Sequence, residues 1–148
     1  MNLFDAELQH DADDPPGYGC DYLRTGALLG AKELALNVFE LPPGQSVCPY
    51  HYENGEEEWI IVLAGHPTLR TPEGERELAP WDCVFCPTGE KGAHKVTNRT
   101  DERVRIVIWS NQAHPHTSIY PDSDKVGAWP PGKLFRLSGA VDYYEGEL

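Results

Sequence analysis

Short segments rich in Val, Ile, Leu and aromatic residues recur along the chain, and many of them alternate with polar positions. The segments 33–41 and 103–109 show this clearly, and a two-residue period is typical of a β-strand with one buried face. The same pattern predicts strands at 22–29, 33–41, 47–53, 59–63, 68–71, 75–78, 82–86, 93–98 and 103–109. The sequence therefore predicts an all-β protein.

Glycine and proline separate these segments closely enough that helices have little room. The clearest hairpin spans 68–78, where Pro72 and Gly74 suit the corners of a tight turn. Strands spaced so closely predict a sandwich or barrel. We expect an N-terminal arm at 1–21, a barrel at 22–112, and an extension at 113–148 that packs on the barrel or on a second subunit.

Composition narrows the possible partners. The chain has 148 residues, of which 40% are hydrophobic, and a formal net charge of −12. One domain of this size buries ~68–70% of its unfolded surface and does not need disulfides. The negative charge disfavours nucleic acid and anionic membranes as partners. The chain shows neither a secretion signal nor a run of ~18 apolar residues, so we expect a cytoplasmic protein.

The four cysteines are expected to remain thiols. Cys83 and Cys86 form a C-x-x-C pattern, which can bind zinc or carry redox chemistry when the two sulfurs converge. Here the pattern lies in a predicted strand, and residues three apart in a strand point to opposite faces. We therefore expect two half-buried apolar side chains.

Four polar side chains are candidates for a metal centre. His51 and Glu53 lie two apart on a predicted strand and leave the same face. Glu58 opens the next strand after the Asn54-Gly55 turn, and His94 lies on a later strand. Each alone is more often a hydrogen-bonded residue, but together inside an apolar barrel they suit one divalent ion: Mn²⁺, Fe²⁺, Co²⁺, Ni²⁺ or Zn²⁺. Binding is expected to weaken below pH ~6.5, where imidazole protonates.

A second histidine pair, His114 and His116, competes for the metal role because residues two apart can share a face. This pair lies in a loop without a carboxylate or cysteine at ligand spacing, so a solvated loop explains it as well. Glu56 and Glu57 are expected to face solvent.

The chain contains two ordered motifs: the first comprises Gly44, His51, Glu53, Glu58 and Gly65, and the second comprises Pro87, Gly89, His94 and Asn98. Together they resemble the signature motifs of the cupin superfamily. Glu53 stands where cupins usually carry a second histidine, and Trp81 replaces the glycine that opens the second motif. The resemblance implies a single-domain, jelly-roll β-barrel with short terminal arms, and a metal held by His51, Glu53, Glu58 and His94.

The resemblance leaves two classes of function open. One is a metal-dependent enzyme of the isomerase, decarboxylase or dioxygenase type, acting on a sugar, sugar phosphate or carboxylic acid. The other is a non-catalytic module that binds or senses a small ligand and keeps a structural metal. A homodimer is also expected, with exposed aromatic residues such as Trp129, Tyr143 and Tyr144 suited to its interface.

Overall fold

Strands dominate the computed structural model, which describes residues 1–147. They are Gln9–His10 (β1), Asp21–Leu23 (β2), Leu34–Leu41 (β3), Tyr52–Asn54 (β4), Glu58–Ala64 (β5), Thr68–Thr71 (β6), Gly74–Glu77 (β7), Cys83–Cys86 (β8), Lys95–Thr97 (β9), Val104–Asn111 (β10), His116–Tyr120 (β11), Lys125–Trp129 (β12) and Lys133–Arg136 (β13). One short α-helix, Thr25–Leu28 (α1), and three 3₁₀ turns complete the described elements. The all-β prediction is confirmed.

The strands form two layers. One layer is a six-stranded sheet in the order β1-β2-β3-β10-β5-β8. The other consists of a four-stranded sheet, β13-β12-β11-β4, and a three-stranded sheet, β7-β6-β9. Two isolated bridges, Ser46 to Thr97 and His51 to His94, join the segments beside β4 and β9. This seam between the two smaller sheets is where the candidate site lies.

Alternation along β5 and β10 decides which side chains face the core. Ile106 and Ile108 of β10 are buried with Ile60 and Val62 of β5, in one cluster that also includes residues of the three-stranded sheet. Ser110 pairs with Glu58 on the same inward face. The hydrophobic pattern that forms the core therefore also turns Glu58 inward.

Gly65 fixes the end of β5. Its φ is +78°, and a Cβ at this position would lie 2.8 Å from the carbonyl oxygen of Arg103. Both the left-handed conformation and the close approach of β10 require glycine here. The first motif thus ends on a residue with a structural role.

Two predicted strands are shorter than expected. The segment 22–29 ends as a strand at Leu23 and continues as α1, because a short apolar run does not distinguish a strand from a buried helical turn. The segment 47–53 keeps regular pairing only in β4, since Pro49 has no N–H to donate to a ladder. The hairpin of β6 and β7 forms as predicted, with Thr71 paired to Gly74.

The sequence pattern missed three strands after residue 112. β11, β12 and β13 pair in turn, and β11 also pairs with β4. Frequent prolines and polar residues interrupt this region, which hides the strand period. The division into 1–21, 22–112 and 113–148 stays a prediction, and its last residue, Leu148, lies outside the described residues.

Exposed aromatic residues include some near the C-terminal end and some on the six-stranded sheet. Tyr143 and Tyr144 are exposed, as expected, whereas Trp129 is half-buried because its indole turns inward onto β11. A second set, Trp59, Phe85 and Trp109, forms one exposed row across the outer face of the six-stranded sheet. The homodimer stays a prediction. No helix within residues 1–147 is long and apolar enough to cross a membrane.

Candidate metal centre

His51 and His94 face each other across the seam. The N–H of His94 donates to the carbonyl of His51 at 2.8 Å, and the N–H of His51 donates back at 3.2 Å. Such a pair of bonds places two residues directly opposite with their side chains on the same face. The two imidazole rings lie 4.8 Å apart, and both side chains are buried. Backbone hydrogen bonds thus bring together two histidines that are 43 positions apart in the sequence.

Backbone carbonyls fix the tautomer of both rings. The Nδ1 of His51 lies 3.0 Å from the carbonyl oxygen of Pro49, and the Nδ1 of His94 lies 2.9 Å from that of Gly92. A carbonyl oxygen only accepts, so each Nδ1 carries the hydrogen and each Nε2 keeps a free lone pair. Metal-binding histidines are oriented in the same way by a second hydrogen bond.

Glu58 completes a group of three. Its Oε2 lies 3.3 Å from the Nε2 of His94 and 3.9 Å from the Nε2 of His51. That oxygen is buried and has no hydrogen-bond partner. Burial raises the pKa of Glu58 and, with the neighbouring His94, lowers the pKa of His51 to about 4. Three lone-pair atoms therefore converge in a site whose burial disfavours the isolated charged forms of His51 and Glu58.

These residues fit a metal ion. One donor atom from each of His51, Glu58 and His94 lies within 4.8 Å of the others. A divalent cation would satisfy the unpartnered Oε2 and both Nε2 atoms, and two imidazoles with a carboxylate suit first-row transition metals. Within the described residues, this is the one cluster of three histidine, cysteine or acidic side chains with such geometry.

Glu53 lies beside this group. Its Oε1 is 3.5 Å from the Nε2 of His51, and its Oε2 accepts a 2.8 Å hydrogen bond from the hydroxyl of Ser118. Burial raises the pKa of Glu53 to about 8. The structure thus brings all four predicted residues to one place, with Glu53 at the edge of the cluster.

Glu56 was predicted to face solvent, but the structure buries its side chain. Its side chain is only 12% exposed and lies 3.4 Å from the Nδ1 of His116. Burial raises the pKa of Glu56 to about 7, and the nearby Glu58 adds to the rise. The turn at Gly55 folds the start of this run back toward β11, while Glu57 remains exposed.

The tail strand β11 supplies side chains that the sequence did not predict at the site. Ser118 bonds Glu53, and the ring of Tyr120 stacks on His51 at 5.8 Å. His116, proposed with His114 as a competing site, lies 3.8 Å from the Oε2 of Glu53 instead. The spacing of these three residues, two apart on one strand, was the only available signal, and a loop-like composition concealed it.

The two thiols of the C-x-x-C pattern diverge as predicted, but they are not both half-buried. Cys83 is exposed and Cys86 is buried, so the two thiols occupy opposite faces of β8. Burial raises the pKa of Cys86 to about 12, which keeps it a neutral thiol.

A cavity of about 510 Å³ opens along the inner face of β3. Its walls include Ala35, Asn37 and Phe39 of this strand and Gln112. Ala35 pairs with Ser110, which pairs with Glu58, so the cavity wall lies two strand spacings, about 10 Å, from the Glu58 backbone. None of the four candidate ligands lines this cavity.

Residues 37–110 match the family model of the cupin domain. This stretch is half of the chain and includes His51, Glu53, Glu58 and His94. The chain belongs to the cupin family. The resemblance noted in the two sequence motifs is confirmed, as is the cupin-like fold class.

Known structures share the fold of this cupin. A protein from Acidithiobacillus ferrooxidans, provisionally named a sugar phosphate isomerase, has 22% identity and a TM-score of 0.84, over 95% of this chain and 91% of that one. A sugar phosphate isomerase of the cupin superfamily from Silicibacter pomeroyi has 24% identity and a TM-score of 0.83, over 98% and 97%. A polyketide cyclase from Streptomyces resistomycificus has 23% identity and a TM-score of 0.63, over 78% and 81%. No curated protein sequence matches this cupin significantly.

Proposed function

We propose that this cupin is a metal-dependent enzyme that acts on a small oxygenated substrate at the centre formed by His51, Glu58 and His94. The observation that carries the proposal is the buried Oε2 of Glu58, which has no hydrogen-bond partner and faces two Nε2 lone pairs. Apolar surroundings make such a group unfavourable unless a cation balances it.

The donor set suits Mn²⁺, Fe²⁺, Co²⁺, Ni²⁺ or Zn²⁺. His51, Glu58 and His94 would hold the ion, and Oε1 of Glu53 is the nearest further donor. Three or four protein ligands leave positions open on an octahedral ion, where it would polarise an oxygen of the substrate.

A sugar phosphate is the first candidate substrate, and isomerisation is the first candidate reaction. Two similar structures that span nearly the whole chain carry names of this class. The cavity along β3 offers hydrogen-bonding groups suited to hydroxyls, namely the amides of Asn37 and Gln112, the carboxylates of Asp11 and Asp14, and the guanidinium of Arg24. Carboxylic acids remain the runner-up substrate class.

Metal content and activity test this proposal together. The purified chain should contain about one transition-metal ion per molecule by elemental analysis. With a panel of aldose and ketose phosphates, chelation should abolish turnover while the circular dichroism spectrum stays unchanged, and re-addition of the ion should restore turnover. A chain that binds no transition metal, or turnover that survives chelation, would contradict the proposal.

A non-catalytic binding module is the second candidate. The position of the candidate ligands favours it, because His51 and His94 join the two smaller sheets through an isolated bridge. A metal bound there would stabilise the contact between these sheets. In that case chelation would mainly lower the thermal midpoint of unfolding. Small-ligand binding without turnover would then distinguish this module from the enzyme.

Metal binding is expected to release a proton. Burial raises the pKa of Glu53 to about 8, so this carboxyl is mostly protonated at pH 7 in the metal-free chain. The lowered pKa of His51, about 4, leaves that imidazole already neutral. A cation stabilises the carboxylate, so affinity should rise with pH up to about 8 instead of changing at the usual imidazole value of ~6.5.

Calorimetric titration with Mn²⁺ in buffers of different ionisation enthalpy measures this proton release directly. The measured binding enthalpy should vary with the buffer at pH 7. An affinity that is constant between about pH 6 and pH 8 would contradict the expectation.

A further inference from the structure

Two consecutive hydrogen bonds run from β12 to the candidate metal centre. The Nε1 of Trp129 donates to the hydroxyl of Ser118 at 2.8 Å, and that hydroxyl donates to the Oε2 of Glu53 at 2.8 Å. We infer that Ser118 and Trp129 are positioning residues that hold Glu53 so that it presents one oxygen, Oε1, to the metal. The inference rests on the proposed function, because it assumes that the centre binds an ion.

The direction of both hydrogen bonds follows from the chemistry of the groups. An indole N–H can only donate, so the oxygen of Ser118 is the acceptor in the first bond. The single hydroxyl hydrogen of Ser118 is then free to point at Glu53, whose carboxylate accepts it. With Oε2 held in this way, Oε1 is the oxygen that lies 3.5 Å from the Nε2 of His51.

The hairpin of β11 and β12 is shaped around this contact. Ser118 is buried and pairs with Glu53 on one side and with Gly127 on the other. A Cβ at Gly127 would lie 3.0 Å from two atoms of the Trp129 indole. Glycine at 127 therefore leaves room for the indole to lie across β12 and reach Ser118.

His116 does not replace Ser118 in this role. Its Nδ1 lies 2.6 Å from the carbonyl of Ala113, to which it donates, and its Nε2 is 3.8 Å from the Oε2 of Glu53. That separation exceeds a hydrogen bond. Of the side chains on β11, Ser118 is thus the one that fixes the Glu53 carboxylate.

Titration of the full chain with Co²⁺ tests the inference without any assay of activity. Ser118→Ala and Trp129→Phe should each weaken Co²⁺ binding about 10-fold, which is the usual scale for partners that orient metal ligands. The visible absorption bands of bound Co²⁺ should also change, because they respond to coordination geometry. Thr117→Val is the matched control: Thr117 lies on the same strand but faces away, where it accepts a hydrogen bond from Asn54. This variant should bind Co²⁺ as the unchanged chain does.

A double substitution separates positioning from general packing. In a Glu53→Ala background there is no carboxylate to hold, so Ser118→Ala should cause no further loss of Co²⁺ affinity. An equal loss in both backgrounds would overturn the inference. Circular dichroism and the thermal midpoint identify any variant that fails to fold, and Trp129→Phe, which keeps an aromatic ring in place, then supplies the test.

The outcomes for the inference and for the proposed function differ. If the unchanged chain binds no Co²⁺, the proposed metal centre is wrong and the positioning role falls with it. If the unchanged chain binds Co²⁺, and Ser118→Ala and Trp129→Phe bind it equally well with the same spectrum, only the positioning role is overturned.

Discussion

Replacing His94 with Ala is expected to lower the affinity of the chain for Mn²⁺ or Zn²⁺ by about 100-fold or more while leaving the fold in place. A ligand contributes more than the outer partners that orient it, whose loss already costs 10–100-fold. The backbone of His94, not its side chain, makes the bridge to His51, so the seam should survive. Elemental analysis and calorimetric titration measure the loss, and circular dichroism measures the fold.

Two further variants control this experiment. His94→Gln keeps most of the side-chain volume but removes the imidazole, so it should lose the metal without a cavity in the core. His66→Ala removes an exposed histidine that is not one of the candidate ligands, so this variant should bind metal normally. Unchanged metal content in both His94 variants would show that this residue is not a ligand.

Asn98→Ala is expected to destabilise the chain by about 3 kcal/mol or more, equivalent to roughly 6–12 °C in the thermal midpoint. The side-chain amide of Asn98 is fully buried and donates to the carbonyls of Leu41 and Glu102 at 2.8 and 2.7 Å. Its oxygen accepts from the backbone N–H and the hydroxyl of Thr100 at 2.9 and 2.7 Å. Alanine would leave these groups without their partner in the interior.

Denaturant unfolding followed by circular dichroism measures the difference in the free energy of unfolding. The matched control is Asn54→Ala, because Asn54 is exposed and donates a single 3.2 Å hydrogen bond to Thr117. That variant should change the stability by no more than about 0.5 kcal/mol. Equal effects of the two substitutions would contradict a structural role for the buried amide.

The hydrophobic period of the sequence predicted the long strands of the core, but not the elements that are short or interrupted by polar residues. β3, β5 and β10 are long and apolar, so their period identified them. α1 was missed because four residues are too few to show a helical period. β11 to β13 were missed because prolines and polar residues interrupt their period, and the pairing of β11 with β4 joins segments that are distant in sequence.

The candidate site divides in the same way. His51, Glu58 and His94 could be predicted because motif spacing and strand alternation specify both their order and their face. The role of Ser118 could not be predicted, because its contact with Glu53 joins residues 65 apart and no local sequence pattern links the two. The burial of Glu56 likewise depends on where the tail strand lies.

The bridge between His51 and His94 has a consequence for folding. The candidate ligands come from segments separated by dozens of residues, so their meeting requires long-range closure, which is the slow part of assembling a β-protein. A chain that is only partly collapsed has no complete centre to offer. Metal binding would therefore come late, after the strands have paired. A chain still being synthesised would not bind an ion at this site.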